Sequence, residues 1–229
     1  MPIPAPSLPR YGARAALRNV TIGLLVLVSL FCGPAMAAKI NLVALGDSLT
    51  AGYGLPAEQG FVPQMQAWLL AKGVDVSISN AGVSGDTTAG GLARLDWSLA
   101  PDTSALLVNL GGNDLLRGID PRSSAANLDK ILATARARNL PVLLVGLKAL
   151  NNYGPDFKAQ FDAIYPDLAR KYAADLYPDF FAGLKSGADQ TVALARYMQP
   201  DGIHPNAAGV ALIVNDLGPH LIELFKKAQ

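Results

Sequence analysis

Ile40–Leu45 is an almost unbroken run of branched and apolar residues, the pattern of a strand buried on both faces of a parallel sheet. Ala105–Leu110 and Pro141–Leu147 repeat it. Val74–Ser79 differs: Val74, Val76 and Ile78 alternate with polar residues, which predicts a half-buried strand at the sheet edge. Leu176 and Tyr177 fit a short fifth strand. Between these runs the period changes. Phe61, Met65, Trp68 and Leu69 stand at helical spacing, and Lys72-Gly73 ends that helix. Thr87–Leu99 reads as one helix with Asp86 as its cap, and Pro121 suits the first turn of another that continues to about Arg138. Asp156–Tyr172 is helical by pattern, with Pro166 expected to kink or break it. Pro205–Lys227 predicts a closing helix with Leu212, Ile213, Leu217, Leu221 and Leu224 on its apolar side, interrupted at Gly218-Pro219. Asn80–Asp86, Lys148–Pro155 and Gly183–Pro200 read as loops.

Strands separated by helices of ten or more residues imply a parallel, five-stranded α/β sheet with helices on both faces. No internal repeat or linker divides it, so one domain is expected. The loops Gly46–Ser48, Gly82–Asp86 and Gly111–Asp114 each follow an apolar strand. The carboxyl ends of parallel strands share one edge, so these three loops should converge there.

Composition narrows the class. The chain has 229 residues, 51% of them hydrophobic and 16% charged, enough for one substantial core. A net charge of +1 without a basic block argues against a nucleic-acid partner. Arg10, Arg14 and Arg18 precede an apolar stretch from Val20 to Phe31, and Ala35-Met36-Ala37 follows as a small-x-small cleavage site. That order is a secretory signal peptide over residues 1–37, with an uncleaved anchor as the alternative. Cleavage would leave 192 residues (229 less 37) with charge −2 and no stable membrane anchor, in the periplasm or secreted. Cys32, the sole cysteine, lies in the leader behind a bulky Phe31, which argues against lipidation. The mature domain then has no disulfide and no thiol nucleophile.

Two histidines remain for acid–base chemistry. His204 lies in Asp201-Gly202-Ile203-His204-Pro205-Asn206, just before the closing helix, whereas His220 falls on that helix as a core or surface residue. A triad needs a hydroxyl, an imidazole and a carboxylate that fixes the imidazole's tautomer. Ser48 supplies the first, and Asp201 the last if Gly202 lets the loop fold back. Asp201 and His204 as two metal ligands is the alternative, but no third ligand stands near in sequence. A tetrahedral oxyanion also needs preset donors. The Ser48 N–H, the Gly85 N–H and the Asn113 amide are the candidates.

Gly46-Asp47-Ser48-Leu49, Gly85, Gly111-Gly112-Asn113-Asp114 and Asp201–Asn206 match in order the four blocks of the SGNH, or GDSL, hydrolases. The chain resembles their bacterial periplasmic branch of acyl-CoA thioesterases, lysophospholipases and arylesterases over essentially the whole mature domain. The resemblance implies a flavodoxin-like α/β/α sandwich. It also implies Ser48 as nucleophile, His204 as base then acid, Asp201 as orienting carboxylate, and Ser48, Gly85 and Asn113 as the oxyanion hole. No metal or other cofactor is implied, and the partner is a small ester, thioester or lipid substrate. The branch typically carries a Leu-Pro pair before Asn-Tyr-Gly, where this chain has Lys148-Ala149-Leu150-Asn151, a change that bears on acyl-chain preference. Two other readings on the same fold are a sugar or cell-wall O-deacetylase and a non-catalytic acyl-lipid carrier. The apolar Leu115, Leu116 and Leu150 favour acyl contacts over a glycan groove.

Overall fold

β1 (Ile40–Gly46) is hydrogen-bonded on both sides, and its apolar run is buried almost throughout, as a central parallel strand requires. This computed structural model describes Met1, residues 39–185 and residues 196–228. The signal-peptide reading of residues 1–37, Cys32, and part of the loop expected over Gly183–Pro200 lie outside the described residues. The described domain belongs to the unit Ala38–Gln229.

β2 (Val76–Gly82), β3 (Ala105–Asn109), β4 (Val142–Val145) and β5 (Asp175–Tyr177) complete a five-stranded sheet in the order β2-β1-β3-β4-β5, every pairing parallel. This is the flavodoxin-type order. The chain leaves β1 for β2 on one side, then crosses to β3 on the other. The order therefore reverses between β1 and β3, and a ligand crevice is expected outside their carboxyl ends. Helices Phe61–Ala71 and Ala207–Phe225 pack together as one layer, and Thr88–Ala93, Pro121–Ala137 and Pro155–Tyr172 as another. The result is the three-layer sandwich expected from the alternating pattern.

Several local expectations need correction. β2 begins two residues late and runs on through Asn80–Gly82, which pair in register with Ala44–Gly46 instead of forming a loop. Thr87, not Asp86, caps the next helix by accepting from the Gly90 N–H at 3.3 Å; that helix stops at Ala93 and a second short one covers Leu95–Ser98. Two glycines in six residues weaken the first segment, and Asp86 is engaged elsewhere. Pro166 does not end Pro155–Tyr172, because Phe161, Ile164 and Tyr165 before it and Leu168 and Ala169 after it are all buried. That burial offsets a penalty of about 3 kcal/mol.

Gly218-Pro219 likewise lies inside the closing helix Ala207–Phe225. Gly218 is a packing residue: a Cβ there would stand 2.5 Å from the Trp68 ring. Trp68 also donates its indole N–H to Asn215 Oδ1 at 2.8 Å. The closing helix is long and apolar enough to cross a membrane, yet its apolar side faces Phe61–Ala71 and the sheet. Pro121 at the helix start and the Asp120 cap, accepting from Arg122 N–H, follow the sequence pattern.

Candidate active site

β1 delivers the chain to Gly46, where Asp47 caps a single helical turn, Ser48–Ala51, by accepting from the Leu49 N–H at 3.0 Å. Ser48 is thus the first residue of that turn. From the far end of the sequence, the segment Gln199–His204 folds back on itself: Gln199 N–H donates to the His204 carbonyl at 2.8 Å and Gly202 N–H to the Gln199 carbonyl at 3.0 Å. The Gln199 amide donates onward to the carbonyls of Tyr53 at 2.8 Å and Pro205 at 3.0 Å, tying this loop to the one after Ser48.

The three triad candidates meet. His204 Nε2 lies 2.8 Å from Ser48 Oγ, and His204 Nδ1 lies 2.6 Å from Asp201 Oδ2. A hydrogen on Nδ1 satisfies both contacts, leaving Nε2 to accept from the serine hydroxyl. Asp201 Oδ1 accepts from the N–H groups of Ile203 at 2.9 Å and His204 at 3.0 Å. Its bond to the imidazole, followed by those two N–H groups, holds the Asp201 carboxyl down to about 2. The Tyr53 ring stands 4.7 Å from the His204 ring and covers it. Among the described residues no third His, Cys, Asp or Glu joins Asp201 and His204 in a metal-type cluster. His220 stands apart, exposed and edge-on to Tyr177 at 5.2 Å.

The other two candidates come from the ends of β2 and β3. Gly85 is the third residue of a turn closed by Asp86 N–H donating to the Val83 carbonyl at 3.1 Å, and its φ of +87° is one that L side chains rarely adopt. The Gly85 carbonyl accepts from Arg117 at 2.9 Å. Asn113 lies in a short helix, Gly112–Leu116, where a bare loop was expected. Its amide donates to the Asp86 carbonyl at 3.0 Å, so Asn113 and the Gly85 turn are joined directly.

Ser48 and Asn113 share the wall of a cleft of about 580 Å³. Leu49, Leu115, Leu116, Leu147, Leu150 and Ile203 give it a largely apolar lining, and it includes the three leucines singled out in the sequence. A smaller hollow of about 300 Å³, bounded by Pro141, Tyr172 and Lys227, holds none of the candidate residues. The loop that lacks proline is clamped instead: Ala149 N–H donates to Asp162 Oδ1 at 2.9 Å, and Lys158 Nζ donates to the Ala149 carbonyl at 2.6 Å and to Asp162 Oδ2 at 2.7 Å.

Several residues at the site carry no signal in periodicity. Asp114 is buried and accepts from Thr88 N–H at 2.8 Å, Thr88 Oγ1 at 2.6 Å and Ser124 Oγ at 2.8 Å, binding the Asn113 helix to two others. A charged residue inside a Gly-Gly-Asn-Asp run was the one hint. Tyr53, Gln199 and the Lys158–Asp162 pair read as ordinary loop or helix-surface residues until the fold sets them against the His204 ring, the Tyr53 carbonyl and the Ala149 backbone respectively.

The chain is similar to several known esterases. Esterase TesA of Pseudomonas aeruginosa is 40% identical over 213 residues, covering 93% of this chain and all of that protein. An arylesterase of Vibrio mimicus is 35% identical over 204 residues, covering 88% of this chain and 98% of that protein. A crystal structure of TesA superposes with a TM-score of 0.72 at 38% identity, covering 80% of this chain and 99% of that one. The profile of the GDSL-like Lipase/Acylhydrolase family matches residues 44–212, and with the relatives' lengths almost fully spanned, the chain belongs to that family of esterases.

Proposed function

We propose that the protein is a serine hydrolase that cleaves carboxylic esters, and thioesters of similar shape, through an acyl-enzyme on Ser48. The observation that carries this reading is the continuous relay Asp201–His204–Ser48, at 2.6 and 2.8 Å, between groups more than 150 residues apart in the chain. His204 Nε2 takes the hydroxyl proton as Ser48 Oγ attacks the acyl carbon, while Asp201 steadies the imidazolium. The Ser48 and Gly85 N–H groups and the Asn113 amide stabilise the oxyanion. His204 then protonates the leaving alkoxide or thiolate. Water, deprotonated by the same imidazole, attacks the acyl-enzyme; the second tetrahedral intermediate collapses to the carboxylic acid, and Ser48 regains its proton.

The apolar cleft wall beside Ser48 and Asn113 favours an acyl chain as the group it holds. Single-chain lipid esters and aryl esters are therefore the substrate class, in keeping with the names esterase, arylesterase and lysophospholipase carried by relatives. The leader pattern in residues 1–37 supports export, a single mature domain from residue 38, and action in the periplasm. Assay of a short-chain nitrophenyl ester tests the chemistry. Ser48→Ala and His204→Ala should each lose about 10³-fold or more in kcat with the fold intact. A folded Ser48→Ala protein that kept most of its activity would end this reading.

A further inference from the structure

Arg94 breaks the helical segment after β2, with φ −109° and ψ 6°, and its guanidinium turns down onto the carboxyl edge of the sheet. Nη2 donates to the Gly46 carbonyl at 2.8 Å, Nη1 to the Ala81 carbonyl at 2.8 Å, and Nε to Asp86 Oδ2 at 2.6 Å. These acceptors belong to separate parts of the site. Gly46 ends β1, two residues before Ser48; Ala81 is in the neighbouring strand; Asp86 follows Gly85 and closes its turn. The Asp86 carbonyl is in turn the acceptor of the Asn113 amide. One planar cation thus links the strand end that carries the hydroxyl to the turn that carries the Gly85 N–H.

Guanidinium geometry is what makes this link possible. The Gly46 carbonyl also accepts from the Val83 N–H at 3.0 Å, so the guanidinium uses its second lone pair. A fixed fork of N–H groups reaches two carbonyls and a carboxylate oxygen at set angles, which a lysine ammonium on a flexible stem cannot reproduce. The ion pair is largely shielded, with side-chain exposures of 19% for Arg94 and 20% for Asp86. Arg94 is absent from the cleft wall, so its influence reaches the reaction through the groups it holds.

We propose that Arg94 is a positioning residue for acyl transfer, setting the Gly85 N–H at its working distance from Ser48 without touching substrate. This rests on the roles given above to Ser48 and Gly85. A displaced donor is costly only where negative charge develops, so the loss belongs to kcat and not to KM.

Arg94→Lys and Arg94→Ala, made in the full chain and assayed on nitrophenyl acetate, test it. Arg94→Lys should lower kcat by about tenfold to a hundredfold with KM within about twofold. Guanidinium ion at tens of millimolar should restore Arg94→Ala severalfold and leave the native enzyme unchanged. Combined with Asn113→Ala, the Lys variant should lose less than the product of the two single losses, because both changes act on one turn. Circular dichroism at the assay temperature accompanies each measurement, and if Arg94→Ala does not fold, Arg94→Lys carries the test. Native kcat in a folded Arg94→Lys protein, a loss confined to KM, a loss that multiplies in full with Asn113→Ala, or one that merely follows the unfolded fraction would each overturn the proposal. Ser48→Ala run alongside separates the two readings. If it stays active, the nucleophile assignment fails; if it is dead while Arg94→Lys is unimpaired, only the positioning role fails.

Discussion

Two aspartates at the site titrate in opposite directions, and stability should follow each in its own pH range. Asp47 is 1% exposed, and burial pushes its carboxyl from 3.8 up to about 6, with the Leu49 N–H pulling the other way. The folded chain binds this proton more tightly than the unfolded chain. Ionised Asp47 therefore destabilises the fold above about pH 6, and the penalty fades as the pH falls toward 4. Asp47→Asn keeps an oxygen for the Leu49 N–H and removes the charge. It should be more stable than the native protein by about 1–3 kcal/mol at pH 7.5, with the gap closing near pH 4, read as Tm against pH. A gap that is constant with pH would refute the assignment. Asp201 behaves in reverse: held down to about 2, it adds stability above pH 3.8 that is lost as the pH drops toward 2. Its larger effect is on rate. Asp201→Asn leaves His204 free to take the wrong tautomer, and kcat should fall by about 10²–10⁴, with Tm lower than native above pH 4 and the difference closing toward pH 2.

At the level of elements, the substrate cleft is shaped by how the loop Lys148–Leu150 is held. In place of a proline, the Lys158–Asp162 pair grips both polar groups of the Ala149 backbone from one helix face. Asp162→Ala frees that loop, and Leu150, 73% exposed at the rim, moves with it. Side-chain hydrogen bonds of this kind contribute about 0.5–1.5 kcal/mol. The ratio of kcat/KM for octanoyl over acetyl nitrophenyl esters should therefore shift by about twofold to tenfold, while Ser48 acylation on the acetyl ester persists. An unchanged ratio would show that the clamp does not set chain preference. The clamp also marks the limit of sequence reading. Apolar period identifies the strands and long helices because burial on one or both faces dictates which positions must be apolar. It says nothing of where Lys158 and Asp162 point, since an i,i+4 pair on a helix is equally suited to solvent. The same limit explains Gly218-Pro219 and Pro166: both look like stops in one dimension, and both are overridden by packing that only the folded layers provide.

For the whole molecule, the site exists because the sheet brings sequence-distant segments to one edge. That much was legible: the loops Gly46–Ser48, Gly82–Asp86 and Gly111–Asp114, each following an apolar strand, and an Asp-x-x-His loop near the carboxyl end already required convergence if the sheet was parallel. The joints between segments were not legible, because hydrogen bonds across the fold leave no spacing rule in the chain. Gln199 is such a joint, its amide spanning from the Pro205 carbonyl, beside His204, to the carbonyl of Tyr53, five residues past Ser48. Tyr53 in turn packs on the His204 ring. Gln199→Ala cuts both bonds and leaves the two carbonyls to water, so the loops are joined there by the Tyr53–His204 packing and the His204–Ser48 contact. Two such bonds are worth about 1–3 kcal/mol in total. Steady-state kinetics on nitrophenyl acetate should then show kcat/KM lower by about tenfold, with Tm down by a few degrees. Gln199→Glu supplies the discriminating arm. Its carboxylate presents acceptors to two carbonyls and adds a negative charge near His204, so it should be slower than the alanine variant. A glutamate variant faster than alanine would mean that this side chain serves the loop by bulk and not by donating the two hydrogen bonds.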